Sequence, residues 1–356
     1  MGSMNERCGL VVGGVDSHAD THAVAVLDER GVLLATSSFA ATIAGYRALL
    51  GWLRGFGEVD RVGVESTGSY AAALTRYLVG EHVVVLEVNQ PHPHTRRRRG
   101  KSDAIDAELA ARHALSLQTS SIPKQTDGIV EAIRQLRVAR DSAMKARNAA
   151  VVQLGSLLVS APAELREQLA ERKTLAGKAT LCRRLRPDLA RPGDPLNAAK
   201  MALRSLGRRI ATLEEEVKEL DGQLVPLVGQ AAPRTLSLLG IGPAHAGRLL
   251  VSAGQNIERL RSEAAFASLC GVSPIPVASG KTNRFRLNRG GDRQANHALH
   301  MIALSRMRYC PRTRAYLDRR TAEGKTKREI IRCLKRYIAR EIYTTLTADL
   351  AALATT

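Results

Sequence analysis

Four carboxylates occupy positions in the sequence from which they could hold divalent cations. Asp16 and Glu65 each end a short apolar stretch, and this pattern predicts strands that finish on an acidic side chain. Asp103 and Asp106 lie three residues apart in a predicted helix and therefore share one face of it. Carboxylate oxygens are the ligands that Mg²⁺ prefers, and paired ions can stabilise the attacking and the leaving oxygen at a phosphodiester. For any single one of these residues, the alternative is a turn or helix-cap residue.

The order of the predicted elements explains how the carboxylates could meet. Apolar patterning predicts strands at 10–16, 22–27, 32–39, 61–65 and 83–88, and helices at 43–55, 70–79 and 102–117. Three strands followed by alternating helices and strands predict an α/β sheet of mixed direction, the RNase H-like order. In that sheet the first and fourth strands are neighbours, and the last helix packs across their ends.

The middle of the chain is predicted to be helical. Between residues 196 and 225, apolar residues recur at spacings of mostly three and four. The members of this stripe are Met201, Leu203, Leu206, Ile210, Leu213, Val217, Leu220 and Leu224. The stripe fits either a coiled-coil seam between two subunits or a helix packed within its own domain.

A helix-hairpin-helix is predicted near the start of the last third of the chain. Two helices joined at Gly240 and Gly242 would let backbone N–H groups at a helix N-terminus approach a DNA phosphate. Such a contact binds the DNA backbone without recognising bases. The alternative interpretation of the turn at residues 240–242 is a plain corner between two helices. The expected division is a metal-binding domain at 8–125, a helical region at 126–232 and a C-terminal, mainly α domain at 233–356.

The distribution of charge favours a polyphosphate partner. The chain has 53 Lys and Arg against 34 Asp and Glu, a formal net charge of +19, and residues 281–340 hold 18 basic against 4 acidic residues. This suits nucleic acid, although a merely soluble or ribosome-associated basic protein is the alternative. Aromatic residues are only 3% of the chain, so base stacking is not expected to dominate binding.

The spacing of the cysteines and the hydropathy of the chain indicate its cellular compartment. The five cysteines form no Cys-x-x-Cys pair, and no apolar run approaches the roughly 18–20 residues that span a membrane. We therefore expect reduced thiols in a soluble cytoplasmic protein with no membrane partner.

Several short segments resemble one known family. In the first half, residues 14–18, 64–70 and 101–107 resemble the signature of the DEDD transposases of bacterial insertion sequences. In the second half, residues 240–243, 269–274 and 279–280 resemble, more narrowly, the transposase domain of the family numbered one hundred and ten, whose recombinases are guided by a bridge RNA. The resemblance covers nearly the whole chain except the stretch near 160–200.

The resemblance implies roles for particular residues. It implies a RuvC-like domain that holds Mg²⁺ or Mn²⁺ through Asp16, Glu65, Asp103 and Asp106. It also implies that Ser279, which precedes a glycine in a predicted loop between helices, attacks DNA and forms a covalent phosphoserine link. The residues expected to contact nucleic acid are Arg96, Arg97, Arg98, Arg99, Gly240, Gly242, Lys281, Arg284, Arg286, Arg289 and Arg293.

Two further side-chain types remain after these assignments. Ser273 stands where the family usually has threonine, and it is a rival to Ser279 as the nucleophile. The histidines, among them His18, His22 and His297, show no metal-site spacing and are expected to be surface or core residues.

The function expected from the sequence is RNA-guided DNA recombination. Its partners would be a non-coding bridge RNA, donor and target DNA, and further copies of the chain in a dimer or tetramer with composite active sites. The rival hypotheses are a RuvC-like junction nuclease that hydrolyses DNA with water, and a non-catalytic basic protein that binds RNA or DNA.

Overall fold

A computed structural model describes residues 9–88, 102–117, 120–280 and 282–355. Its first part is a six-stranded sheet with three described helices. The strands are β1 (Leu10–Ser17), β2 (Thr21–Asp28), β3 (Leu33–Ala40), β4 (Glu58–Val64), β5 (Val84–Val88) and β6 (Ser120–Ser121). The helices are α1 (Ile43–Arg54), α2 (Ala72–Gly80) and α3 (Asp103–Ser116).

The sheet has the mixed direction that the sequence predicts. Its strand order is β3-β2-β1-β4-β5-β6, with β1 antiparallel to β2 and parallel to β4. The prediction that the first and fourth strands are neighbours is therefore confirmed. Strand β6 was not predicted, because two residues are too short to show any hydrophobic period.

The two faces of the sheet are covered in different ways. One face carries a core of branched side chains from the strands packed against α1 and α2, and this core includes Val15, Leu49 and Leu74. The other face is covered by α3, which contacts β1, β2 and β4. Because side chains alternate along a strand, Val15 points into the first core and Asp16 toward α3.

Helix α3 lies unusually close to the sheet because two glycines leave room for its backbone. Gly14 of β1 and Gly63 of β4 are register partners. A Cβ at Gly14 would lie 2.2 Å from the Ala107 carbonyl oxygen, and one at Gly63 would lie 2.4 Å from the Ala110 carbonyl oxygen. The face of α3 that meets them carries small alanines, so backbone packs against backbone.

The rest of the described chain is mostly helical. Its helices are α4 (Gly128–Ser160), α5 (Ala163–Ala170), α6 (Leu175–Cys182), α7 (Pro195–Ala231), α8 (Pro233–Leu236), α9 (Pro243–Ala253), α10 (Glu263–Leu269), α11 (Arg293–Tyr309), α12 (Pro311–Ala322) and α13 (Lys327–Ala354). A 3₁₀ turn spans Ile257–Arg259, and strands β7 (Ile275–Ser279) and β8 (Thr282–Arg286) form a separate antiparallel hairpin.

The two longest helices of the middle region pack against each other in antiparallel fashion. Arg140 of α4 pairs with Asp221 of α7 at 2.9 Å, and Arg147, further along α4, pairs with the earlier residue Glu214 at 2.6 Å. The buried members of the predicted stripe recur every seven residues at Leu203, Ile210, Val217 and Leu224. These four residues pack within this chain, whereas Met201 of the same stripe is exposed.

The C-terminal core joins α9, α11 and α13 to the ends of α4 and α7. Two buried polar side chains hold short segments on it. The Asp349 carboxylate accepts hydrogen bonds from the Thr235 backbone N–H (2.9 Å) and hydroxyl (2.8 Å), which caps α8. Arg306 Nε donates to the Leu239 carbonyl at 2.8 Å and fixes the turn that precedes α9.

Two local expectations for the C-terminal third are corrected here. The first helix of the expected helix-hairpin-helix is a single turn of four residues, α8, because Pro233 separates it from α7. Ser279, expected in a loop between helices, ends strand β7 and pairs with Thr282 across a tight turn. Along the described residues, no helix is long and apolar enough to cross a membrane.

We expect Gly14→Ala to destabilise the protein by at least about 1–3 kcal/mol, because the new methyl group would overlap the α3 backbone. The matched control is Gly51→Ala in α1, where a Cβ meets nothing within 4 Å. Alanine there should leave stability unchanged or raise it by about 0.5–1 kcal/mol. Denaturant unfolding followed by circular dichroism measures both. Equal stability of the two variants would contradict the close packing of α3.

Candidate functional site

The first two carboxylates lie side by side at the ends of parallel strands. Asp16 is near the end of β1, and Glu65 directly follows β4. The Glu65 backbone N–H donates to the Val15 carbonyl at 3.2 Å, and the Ser17 hydroxyl donates to the Glu65 carbonyl at 3.2 Å. Both acidic residues are buried, so their carboxylates are held in a corner of low solvent access.

Helix α3 brings the other two carboxylates to this corner. The Ser102 hydroxyl accepts a hydrogen bond from the Ile105 N–H and caps the helix, which places Asp103 and Asp106 in its first turn. Asp106 is buried, whereas the Asp103 side chain is 60% exposed. The two residues therefore differ in depth, with Asp106 inside the corner and Asp103 at its rim.

His18 links the rim to the strand. Its Nε2 lies 3.3 Å from Asp16 Oδ2 and 3.4 Å from Asp103 Oδ1. The sequence interpretation left His18 as an ordinary surface or core residue, and that interpretation missed it. The available signal was its spacing, because residues two apart in extended chain lie on the same side.

The electrostatics of the corner favour a bound cation. The pKa of Asp16 is raised, chiefly by burial and further by the negative charges of Asp106 and Asp103, while His18 opposes the rise. Repulsion of this kind is relieved when a divalent ion binds. One ligand atom each from Asp16, His18 and Asp103 lie within 4.8 Å of one another. Carboxylate oxygens suit hard divalent cations such as Mg²⁺ or Mn²⁺, so Asp16 and Asp103 could hold such an ion while His18 pairs with both carboxylates.

The loop after Glu65 connects the acidic corner to the C-terminal half. Ser66 has a φ of 57°, which turns the chain sharply after the strand. The buried Thr67 then donates its hydroxyl to Glu87 Oε1 at 2.7 Å. Glu87 Oε2 lies 3.7 Å from Arg259 Nη2, and burial lowers the pKa of that guanidinium. The chain of contacts ties the Glu65 loop to the 3₁₀ turn.

The predicted nucleic-acid contacts are placed only in part. Gly240 adopts a φ of 81° in the turn before α9, and Gly242 is the N-cap of that helix. Arg286 and Arg289 are exposed, and Arg293 begins α11. Arg284 lies in β8, in register with Val277. The predicted residues Arg96, Arg97, Arg98, Arg99 and Lys281 lie outside the described residues.

The two serines under consideration occupy different settings. Ser279 is exposed at the end of β7, next to Gly280, whose φ of 54° makes the turn. Ser273 is half-buried, and its backbone N–H donates to the Ala267 carbonyl at 3.2 Å. The acidic corner and Ser279 therefore belong to two separate sheets of the same chain.

Comparisons with known proteins agree for both halves. A family model of the IS110 DEDD type, described as Transposase, matches residues 13–161, which contain all four carboxylates. A second model, described as the Transposase IS116/IS110/IS902 family, matches residues 232–318, which contain both serines.

Two curated relatives come from insertion elements. The insertion element IS110 uncharacterized 43.6 kDa protein of Streptomyces coelicolor is 30% identical over 135 residues, which are 37% of this chain and 33% of that protein. The insertion element IS900 uncharacterized 42 kDa protein of Mycobacterium paratuberculosis is 27% identical over 148 residues, 41% of this chain and 37% of that protein. The alignments thus span 33% and 37% of the two relatives' lengths.

We expect Asp16→Asn and Asp106→Asn each to weaken Mn²⁺ binding by about tenfold or more, because each removes a charged oxygen ligand. Binding should also weaken as pH falls through the raised pKa of Asp16, because protons then compete with the ion. Electron paramagnetic resonance of free Mn²⁺ measures the affinity. Glu81→Gln, which removes an exposed carboxylate elsewhere, is the control. Losses as large in Glu81→Gln would show nonspecific attraction of cations.

Proposed function

The chain belongs to the IS110 family of insertion-element transposases, and from that premise we propose that it cuts and rejoins DNA as an RNA-guided recombinase. The observation that carries the proposal is the meeting of Asp16 and Glu65 with the first turn of α3 at one corner of the sheet. Buried carboxylates of this kind are costly unless they are compensated, and a cation beside a phosphodiester compensates them.

The proposed architecture assigns one role to each part of the chain. Residues 8–125 form an RNase H-like, RuvC-like metal-binding domain, which the mixed sheet and the crossing helix support. Residues 126–232 form a helical, coiled-coil-like connector, supported by the antiparallel pairing of α4 and α7. Residues 233–356 form the transposase domain, whose basic charge suits DNA.

In the proposed chemistry, the acidic corner binds and orients the scissile phosphate. Asp16, Glu65, Asp103 and Asp106 would hold Mg²⁺ or Mn²⁺, and His18 would orient Asp16 and Asp103. When bound, such an ion supplies positive charge that offsets the charge developing on the phosphate oxygens. The buried position of Asp16 and Asp106 limits competing water at this point.

Ser279 is the proposed nucleophile. Its hydroxyl oxygen would form a bond to the phosphorus, and the displaced DNA oxygen would leave as a hydroxyl after taking up the serine proton. A hydroxyl of the second duplex would then attack the phosphoserine ester, rejoin the strand and return the proton to Ser279. The number of ester bonds is unchanged, so no ATP is consumed. Exposure of Ser279 on a hairpin turn suits an approach to a large substrate.

The proposed partners are a bridge RNA, donor DNA and target DNA. The backbone at Gly240 and Gly242 and the cations Arg286, Arg289 and Arg293 would contact phosphates. The family resemblance implies a homo-oligomer, a dimer or tetramer, and we propose that the acidic corner of one copy serves Ser279 of another.

We expect Ser279→Ala to form no covalent protein–DNA adduct, because the ester oxygen is removed, while RNA and DNA binding stay within about twofold. Ser273→Ala should keep its adduct, since a half-buried serine before a proline is a structural hydroxyl. Peptide mapping of a denaturant-resistant complex, formed on insertion-element end DNA with the co-purified RNA, identifies the attached residue.

The Asp106→Asn protein tests the metal site separately from the serine nucleophile. It should give no adduct with Mg²⁺, although Ser279 is intact. DNA joined at Ser273, or cleavage by wild-type protein with no adduct at all, would overturn the assignment of Ser279, and the second result would favour a hydrolytic nuclease.

A further inference from the structure

A groove on the C-terminal domain concentrates positive charge. It lies between the segment 271–274, the end of the β7–β8 hairpin and helix α13, and its volume is about 570 Å³. We call it the basic groove. Its cationic lining includes Arg286, Arg320, Lys325, Arg332, Lys335 and Arg340. Among the described residues, the one carboxylate in its lining is Glu329, which accepts a hydrogen bond from the Thr326 N–H and is thereby engaged in capping α13.

Hydrogen bonds from Thr326, and then the charges of Lys325 and Arg332, lower the pKa of Glu329, so Glu329 offsets part of this positive charge from beyond ion-pair distance. Arg286, Lys325 and Arg332 form no ion pair within 4.0 Å among the described residues. Lys335 is half-buried, and burial together with the charge of Arg332 lowers its pKa. Its ammonium donates to Asn296 Oδ1 at 2.9 Å, which holds it on the wall. Crowded cations of this kind repel one another and are stabilised when an anion binds.

Two aromatic rings are exposed on the walls of the same groove. Phe285 is 68% exposed and Tyr337 is 50% exposed, and both line the groove. The chain has only 3% aromatic residues, so two exposed rings beside so many cations stand out. Tyr337 packs edge-on against Tyr316, with ring centroids 5.8 Å apart, and this contact fixes the plane of its ring.

Rings and cations together select one class of ligand. Cations attract the phosphates of any nucleic acid, duplex or not. An exposed aromatic ring can stack on a base only where the base is unpaired and splayed out, and this combination is typical of single-strand binding. The duplex backbone offers no base face to Phe285 or Tyr337.

We propose that the basic groove binds an unpaired nucleic-acid strand, with bases stacked on Phe285 and Tyr337 and phosphates held by the surrounding cations. The proposal rests on the proposed function, because it names one of the strands that such a recombinase would handle. Ser273 lines the groove and would therefore lie beside the bound strand, not at the site of strand cleavage. Unpaired DNA and unpaired RNA share this chemistry.

The test is fluorescence anisotropy with a labelled oligothymidine, a labelled oligouridine and a duplex of the same length, all in EDTA. Phe285→Leu and the double variant Phe285→Leu/Tyr337→Leu remove rings but keep apolar bulk. Each lost stack should weaken single-strand binding about fivefold or more and change duplex binding less than twofold. Arg332→Gln should lower the salt slope for single strands by about 0.7.

The matched controls lie outside the groove. Tyr309→Leu removes a ring that is 63% exposed at the end of α11, and Arg209→Gln removes an exposed cation on α7. Both should bind like the wild type. Phe285 is largely exposed, so its single variant should melt like the parent and remain interpretable if the double variant unfolds.

Unchanged single-strand binding by Phe285→Leu and the double variant would overturn the proposal, as would an equal loss for the duplex. Losses confined to oligothymidine or to oligouridine would support the groove and identify which strand it takes. The measurement involves neither metal nor cleavage. A protein that never forms a serine adduct could therefore still bind single strands in the basic groove. Conversely, loss of the groove proposal would leave the serine-adduct test unaffected.

Discussion

The close approach of α3 to β1 and β4 is the contact on which the acidic corner depends. Gly14 and Gly63 face each other across the parallel pair and leave no side chain between sheet and helix. Asp16 and Glu65 lie two residues beyond these glycines, on the same face of the sheet. The helix that settles on the glycines therefore carries its first turn, with Asp106, to the point where both strands end. A larger side chain at either glycine would lift the helix and separate the carboxylates.

In the second half of the molecule, buried polar side chains hold short backbone segments in place, and cations gather along one groove. Asp349 and Arg306 satisfy backbone groups that would otherwise be buried without partners, and they fix the short segments around α8 and α9. The hairpin and α13 then enclose the basic groove. Glu87 accepts a hydrogen bond from Thr67, beside the acidic corner, and lies near Arg259, and the Lys124 ammonium donates to the Val251 carbonyl, so several polar contacts join the two halves.

The sequence predicted those features that local periodicity controls. Apolar strands that end on Asp16 and Glu65, and the cap at Ser102, were readable because neighbouring residues determine them. The spacing of His18 from Asp16 was readable, but its contact with Asp103 was not, because Asp103 is distant in sequence and only the folded sheet brings the two together. The hairpin was missed because Pro276 and Gly280 interrupt the alternation by which a strand is recognised. The exposure of Phe285 beside α13 is likewise a tertiary property that composition cannot show.

The most direct test of the central claim is an anomalous difference map from crystals grown with Mn²⁺. We expect a peak at the acidic corner, about 2.0–2.3 Å from an oxygen of Asp16 and within reach of carboxylates from α3. Such a peak would show that packing on Gly14 and Gly63 assembles a cation site from both strands and the helix. Mn²⁺ peaks found only elsewhere on a well-ordered chain, with none beside Asp16, would contradict the account.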